Sequence, residues 1–171
     1  NDEEIITLYE SQITAKTKLL MVSHMINITG QILPVKKICE MAHGHGVKVL
    51  VDGAHCIGHF DFRIEELNCD YYGSSLHKWL ATPLGAGLLY VTDDQISKLW
   101  PLIADNEKNP DKIKRLSHKG TIPVHIDLAI VNAMEYLQWM GIKKKEKRLR
   151  FLKNYWLQAL EDVPNIVINT P

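Results

Sequence analysis

Apolar residues along this chain gather in short unbroken runs, separated by segments whose apolar positions return every three or four residues. That alternation is expected of buried parallel strands joined by helical crossovers. Residues 18–23 form the first run and read as a buried strand, followed by a polar loop over residues 24–31. Pro34 suits the first turn of a helix, where its fixed φ helps and its missing N–H is not needed. Val35, Ile38, Cys39, Met41 and Ala42 give that helix an apolar stripe, and Gly44 with Gly46 ends it. Residues 47–51 make the second strand, with Asp52 at its tip. A short helical turn over residues 62–67 precedes a third strand, 69–73, which runs straight on to Ser75 and Lys78. Residues 85–91 make a fourth strand, reached from the lysine through a short Pro83-Leu84-Gly85 turn. So short a link favours antiparallel pairing, because a parallel crossover takes a dozen or more residues.

Further on, Asp93 is expected to cap a helix reaching about Leu99, and residues 104–119, polar and interrupted by Pro110, to form a surface loop. Pro123 opens an amphipathic helix through Ile126, Ala129, Ile130, Ala133, Leu137 and Met140, ended by Gly141. A second long helix spans about Lys143 to Leu160, with Leu149, Leu152, Trp156 and Leu160 as its stripe. Residues 166–171 read as a strand beginning a new unit. The predicted fold class is α/β, a mainly parallel sheet with helices on both faces and an antiparallel strand after the lysine. Residues 1–141 are expected to be part of one large domain, and 142–171 to lead into another.

Composition narrows the function classes. The 171 residues are 46% apolar and 23% charged, enough to bury a core. Formal net charge is zero, so no global field draws the chain to nucleic acid or anionic membrane. The basic run 143–150 could suggest an RNA-binding helix, but reads better as a solvated helix face. Cys39, Cys56 and Cys69 are odd in number and lack a close pairing pattern, which suits a reducing cytoplasm. No apolar run approaches a membrane span of roughly 18 residues. Asn1-Asp2-Glu3-Glu4 carries the wrong charge for a signal peptide.

The chemistry concentrates at two neighbouring strand ends. Asp52 ends one, and Lys78 follows the next. Ligands of open α/β sheets bind at such ends. A lysine there can form an imine with a carbonyl, and a carboxylate can hold a protonated ring nitrogen, the two jobs that define a pyridoxal phosphate (PLP) site. A free lysine has a pKa of about 10.4, so a catalytic one is expected to be desolvated or set beside a cation. Asp52, after an apolar strand, is expected to be costly unless paired. A zinc reading of His55, His59, His43 and His45 lacks any supporting ligand motif.

The segments Val51-Asp52-Gly53-Ala54-His55 and Ser74-Ser75-Leu76-His77-Lys78-Trp79, with Pro83, Gly85 and Gly87 beyond and His118-Lys119-Gly120-Thr121 later, carry a resemblance. The chain resembles the class V aminotransferase family of fold-type-I PLP enzymes. Within it the chain is similar to the isopenicillin N epimerase-like group more than to cysteine desulfurases, which tend to carry Gln where this chain has His55. The resemblance implies that Lys78 carries the cofactor as a Schiff base, that Asp52 pairs with the ring nitrogen, and that His55 reaches the phenolic oxygen or imine region. It places Ser75 and His77 on the phosphate, with Ser74 adjacent, and Asn27 near the phenolic oxygen. His24 is expected to be structural, and Tyr71, Tyr72 and Trp79 to be packing residues.

It also implies a homodimer with shared active sites, in which Thr121 reaches the partner subunit's phosphate. Ile122-Pro123 stands where Arg-Asp commonly follows in the epimerase-like group. Chains of this family are longer, so this one is expected to be a fragment lacking a ring-stacking residue and a carboxylate-binding arginine. The expected activity is PLP-dependent chemistry on an amino acid, epimerase-like or aminotransferase-like, with a cysteine desulfurase or C–S lyase as the alternative. A non-catalytic binding protein that kept the fold is the rival from another class.

Overall fold

The computed structural model describes residues 1–104, 106–117, 120–121, 123–161 and 163–171. The expectations that fall on Asp105, His118, Lys119 and Ile122 lie outside the described residues.

The sheet has four strands, β1 (Leu19–Ser23), β2 (Lys48–Asp52), β3 (Tyr71–Ser75) and β4 (Gly87–Val91), in the order β1-β2-β3-β4. The first three are parallel and β4 is antiparallel to β3, as the short link predicts. Register sets Ser23 beside Asp52 and Asp52 beside Gly73. The C-terminal ends of the three parallel strands therefore lie together.

Alternation divides the sheet. Val22, Val49, Val51 and Tyr72 are buried on one face and meet helix α2 (Val35–Gly44) through Val35, Ile38, Cys39 and Ala42. Burying such side chains stabilises by roughly 1.5–3 kcal/mol each. Helix α1 (Asp2–Ser11) packs on α2 with Ile5, Ile6 and Tyr9 against the same core. The sequence reading overlooked α1, although Asn1 and Glu4 form a complete capping box.

A one-turn helix α3 (Asp93–Ile96) follows β4 and is shorter than expected. Thr92, not Asp93, occupies its N-cap position. Two long helices close the chain, α4 (Val124–Met140) and α5 (Ile142–Leu160). Ile126, Ile130, Ala133 and Leu137 of α4 pack on a second small core of Leu76, Leu80 and Ala86, directly beneath the lysine turn. The opposite side of α4 is also apolar and exposed, so this helix is less amphipathic than its stripe implied. The strand expected over residues 166–171 is not formed. That stretch is irregular, because no neighbouring strand offers it backbone partners.

Asp70, just before β3, ties the strands at their other end. Its carboxylate accepts from Lys48 Nζ, His43 Nε2 and the Val49 N–H, each at 2.8 Å. Burial alone would raise this carboxyl, but those three donors outweigh it and hold it below its ordinary value.

Candidate active site

The turn after β2 is built by backbone constraint. The His24 N–H donates to the Asp52 carbonyl at 2.8 Å, and the Gly53 N–H to the Gly73 carbonyl at 2.8 Å, so β1 and β3 grip the corner from both sides. Gly53 is required there, since a Cβ would overlap the Tyr72 hydroxyl and ring. Ser74 Oγ donates to the Gly53 carbonyl at 2.8 Å. Ser74 is buried and its hydroxyl proton is committed to this bond.

Under the corner lies a dry cluster. His24 Nδ1 and the Tyr72 hydroxyl are hydrogen-bonded at 3.0 Å, and the His24 ring meets Phe60, Phe62 and Tyr72 edge-on. Burial lowers the His24 pKa to about 4, so the ring is neutral at pH 7. His24 is structural, as the sequence implied.

Asp52 itself is exposed, so the cost expected of an unpaired carboxylate after an apolar strand does not arise. Its Oδ1 accepts the Ala54 N–H at 2.9 Å, a local turn that fixes the carboxylate's direction. Among the described residues Oδ2 accepts no hydrogen bond.

His55 sits between two side chains of the lysine turn. Its Nε2 lies 3.2 Å from Lys78 Nζ, and its Nδ1 accepts from Trp79 Nε1–H at 3.4 Å. Desolvation first, and then the Lys78 charge, push the His55 pKa down, with Asp52 acting the other way. Lys78 is exposed at the mouth of the turn. His59 stacks on Trp79 with ring centroids 3.6 Å apart and 13° between planes, and donates from Nδ1 to the His55 carbonyl at 2.8 Å. Trp79 packs on His59, as its sequence context implied, and also contacts His55.

Helix α5 anchors the same turn. Lys145 Nζ donates to the Trp79 carbonyl at 2.6 Å, and Glu146 accepts the Asp61 N–H at 3.1 Å. Burial lowers the Lys145 pKa. The basic run is therefore not all a solvated face: Lys143, Lys144, Lys147 and Arg148 are exposed, and Lys145 turns inward. Gly58 lets the two loops touch, since a Cβ there would lie 2.9 Å from Leu80 Cα. Ala81 holds φ at 61°, a left-handed conformation uncommon for a residue with a Cβ.

The remaining expected residues occupy separate positions. Ser75 ends β3 opposite Gly87 and is half-buried. His77 contacts the Ala86 carbonyl through Nδ1 at 3.3 Å, which leaves the other ring nitrogen for a ligand. Asn27 is exposed in the turn after β1, and Thr121 is exposed just before α4. Among the described residues, no hydrogen bond joins either to Asp52, His55 or Lys78. Nor does any group of three His, Cys, Asp or Glu side chains there gather as a metal site.

The chain matches the aminotransferase class-V family over residues 2–171 and belongs to it. It is 32% identical over 174 residues to isopenicillin N epimerase of Amycolatopsis lactamdurans, covering 92% of this chain and 44% of that protein. It is likewise 32% identical over 171 residues to a probable cysteine desulfurase of Halalkalibacterium halodurans, covering 95% and 42%. The crystal structure of the cysteine desulfurase CsdA of Escherichia coli superposes with a TM-score of 0.80 at 26% identity, over 93% of this chain and 42% of that one. The chain spans less than half the length of these relatives.

Proposed function

We propose that this chain supplies the lysine-bearing half of a PLP-dependent enzyme acting on an amino acid, epimerase-like or aminotransferase-like in reaction. One observation carries the reading. An exposed lysine, a neutral-leaning histidine and an outward carboxylate stand together at the C-terminal ends of adjacent parallel strands.

The residues fit that cofactor. Lys78 offers an amine to its aldehyde, and Asp52 Oδ2 is open to its ring nitrogen. His55 stands beside the lysine nitrogen, where it holds or passes a proton. Ser75 supplies a short donor for a phosphate, and His77, whose Nδ1–H donates to the Ala86 carbonyl, is assigned to the same group. When bound, the ring accepts the electron pair released at the substrate Cα, and the carboxylate keeps its nitrogen protonated. Asn27 and Thr121 are assigned to the phenolic oxygen and to the partner subunit's phosphate, respectively. The exposed apolar side of α4, including Val124, Leu128, Val131 and Trp139, supports a homodimer.

A second reading, cysteine desulfurase or C–S lyase, rests on the cysteine desulfurases among the relatives. Such a desulfurase needs a reactive thiolate. Cys39, Cys56 and Cys69 are buried, with thiols pushed up to about 12, 12 and 11, so none of the three serves.

Incubating the whole enzyme that carries this chain with racemisable amino acids and with cysteine, in deuterium oxide with a reductant present, separates the readings. Deuterium at Cα with retained side chain supports epimerase-like or aminotransferase-like chemistry, and sulfide release supports the second. Neither product, together with no spectral change on adding PLP, indicates a binding protein on the same fold.

A further inference from the structure

The turn that bears Lys78 is weakly held by its own backbone. Within it the Thr82 N–H reaches the Leu76 carbonyl at 3.4 Å, a long bond, and Ala81 keeps a left-handed φ of 61°. Support arrives from helix α5, 66 residues further along the chain. There Lys145 Nζ donates to the carbonyl of Trp79, the residue after Lys78, at 2.6 Å. The next residue, Glu146, accepts the Asp61 N–H at 3.1 Å through Oε2, while Arg150 holds its Oε1 at 2.8 Å. Asp61 lies on the loop that carries His55 and His59. Two adjacent side chains of one helix thus grip both loops of the site. Local preference does not explain Lys145. The first turn of α5 holds no acid, and the positive end of the helix dipole disfavours a cation there. The side chain is also half-buried, which adds a desolvation cost. A residue placed against both preferences answers to a tertiary contact.

We propose that Lys145 is a positioning residue for the reactive lysine: with Glu146 it clamps the Lys78 turn to the His55 loop and so fixes where the lysine amine stands. The amine lies 3.2 Å from His55 Nε2, a spacing between side chains of two different loops. Strand pairing does not set it, since Lys78 comes three residues after β3 and His55 three after β2. Gly58 keeps the seam closed, for a Cβ there would lie 3.0 Å from the same Trp79 carbonyl oxygen that Lys145 grips. A shift of about 1 Å at a reacting group can cost roughly 10²-fold in rate, so a bond remote from the chemistry governs it. Lys145 needs no contact with substrate or cofactor to do this.

The clamp bears on catalysis only on the reading of Lys78 as the cofactor's lysine, and its test keeps the two apart. In the whole enzyme that carries this chain, stripped of cofactor, the rate of covalent PLP attachment to Lys78 is followed by borohydride quenching and peptide mapping. Equilibrium binding of pyridoxine 5′-phosphate, which has no aldehyde and forms no imine, is measured beside it. Lys145→Met should slow attachment roughly ten-fold and leave the affinity for pyridoxine 5′-phosphate unchanged. Lys145→Arg, which keeps a cationic donor, should recover most of that rate. A further readout needs no cofactor: amide hydrogen exchange of residues 78–82 should quicken in Lys145→Met, with β2 and β3 as slow as in the parent. Lys145→Gln, polar but shorter, serves the same comparison if the methionine variant does not fold. Parent-like attachment in a folded variant, or a loss of pyridoxine 5′-phosphate binding equal to the loss of attachment rate, overturns the proposal. If the parent itself takes no PLP on Lys78, the functional reading fails, and parent-like exchange of residues 78–82 in the variant then overturns the clamp as well.

Discussion

Asp52 and Lys78 end neighbouring strands yet are held in different ways, and their variants should differ accordingly. Lys78 is exposed and its amine contacts only His55 among the described side chains. Lys78→Ala should therefore abolish covalent PLP attachment while leaving the urea midpoint within about 0.5 kcal/mol of the parent, as surface substitutions generally do. Asp52→Asn keeps an oxygen for the Ala54 N–H, so the turn survives, but an amide cannot hold a ring nitrogen protonated. The variant should bind PLP yet slow α-proton exchange in deuterium oxide, by about tenfold for each pKa unit of preference lost. Unchanged exchange contradicts that role. Gly53→Ala should behave oppositely, destabilising the fold because the added methyl meets Tyr72. The sequence made Asp52 and Lys78 legible because strand periodicity places them at strand tips. It could not reveal Trp79, since a residue letter gives the size of a ring but not the direction of its N–H. It likewise does not show that Asp52 is exposed, because exposure at a strand end depends on what lies over it.

At the scale of elements, the lysine turn is held by its neighbours rather than by its own propensity. Ala81 adopts a left-handed backbone that a Cβ disfavours, and α5 reaches across with Lys145. Ala81→Gly should stabilise the protein by up to about 1 kcal/mol in urea unfolding, because the strain exceeds the entropic cost of glycine. Lys145→Met should destabilise by about 1–2 kcal/mol through the lost charged hydrogen bond to the Trp79 carbonyl. No change in midpoint for Lys145→Met would mean that solvent replaces the bond freely. The four strands, α2 and the long helices were readable, because apolar runs and 3.6-residue stripes differ in period. The signal for α1 lies in the Asn1–Glu4 cap rather than in an apolar stripe, so hydrophobic periodicity does not reveal it. Residues 166–171 show the converse error, a β-prone start with no strand to pair with.

Across the whole molecule, acid should act in two windows set by buried groups on opposite ends of the sheet. His24 has a folded pKa of about 4 against an ordinary 6.5, so between those values the unfolded chain binds more protons. Stability should be flat above pH 6.5 for this group and fall by up to about 3 kcal/mol as pH drops to 4. Asp70 acts lower, since its folded carboxyl lies below 3.8 and its contribution is lost only as pH falls through that depressed value. Urea midpoints from pH 7 to 4 should fall in the parent and fall less in His24→Gln; parallel curves would contradict the assignment. For the proposed dimer, mixing Lys78→Ala with Thr121→Ala chains should restore activity, because some mixed dimers hold one site with both residues intact. The central claim is that Lys78 bears the cofactor, and reduction of the PLP-treated whole enzyme with borohydride followed by peptide mapping tests it most directly. The account expects one phosphopyridoxyl group per chain, on Lys78; label on another lysine, or none on the protein, would contradict it.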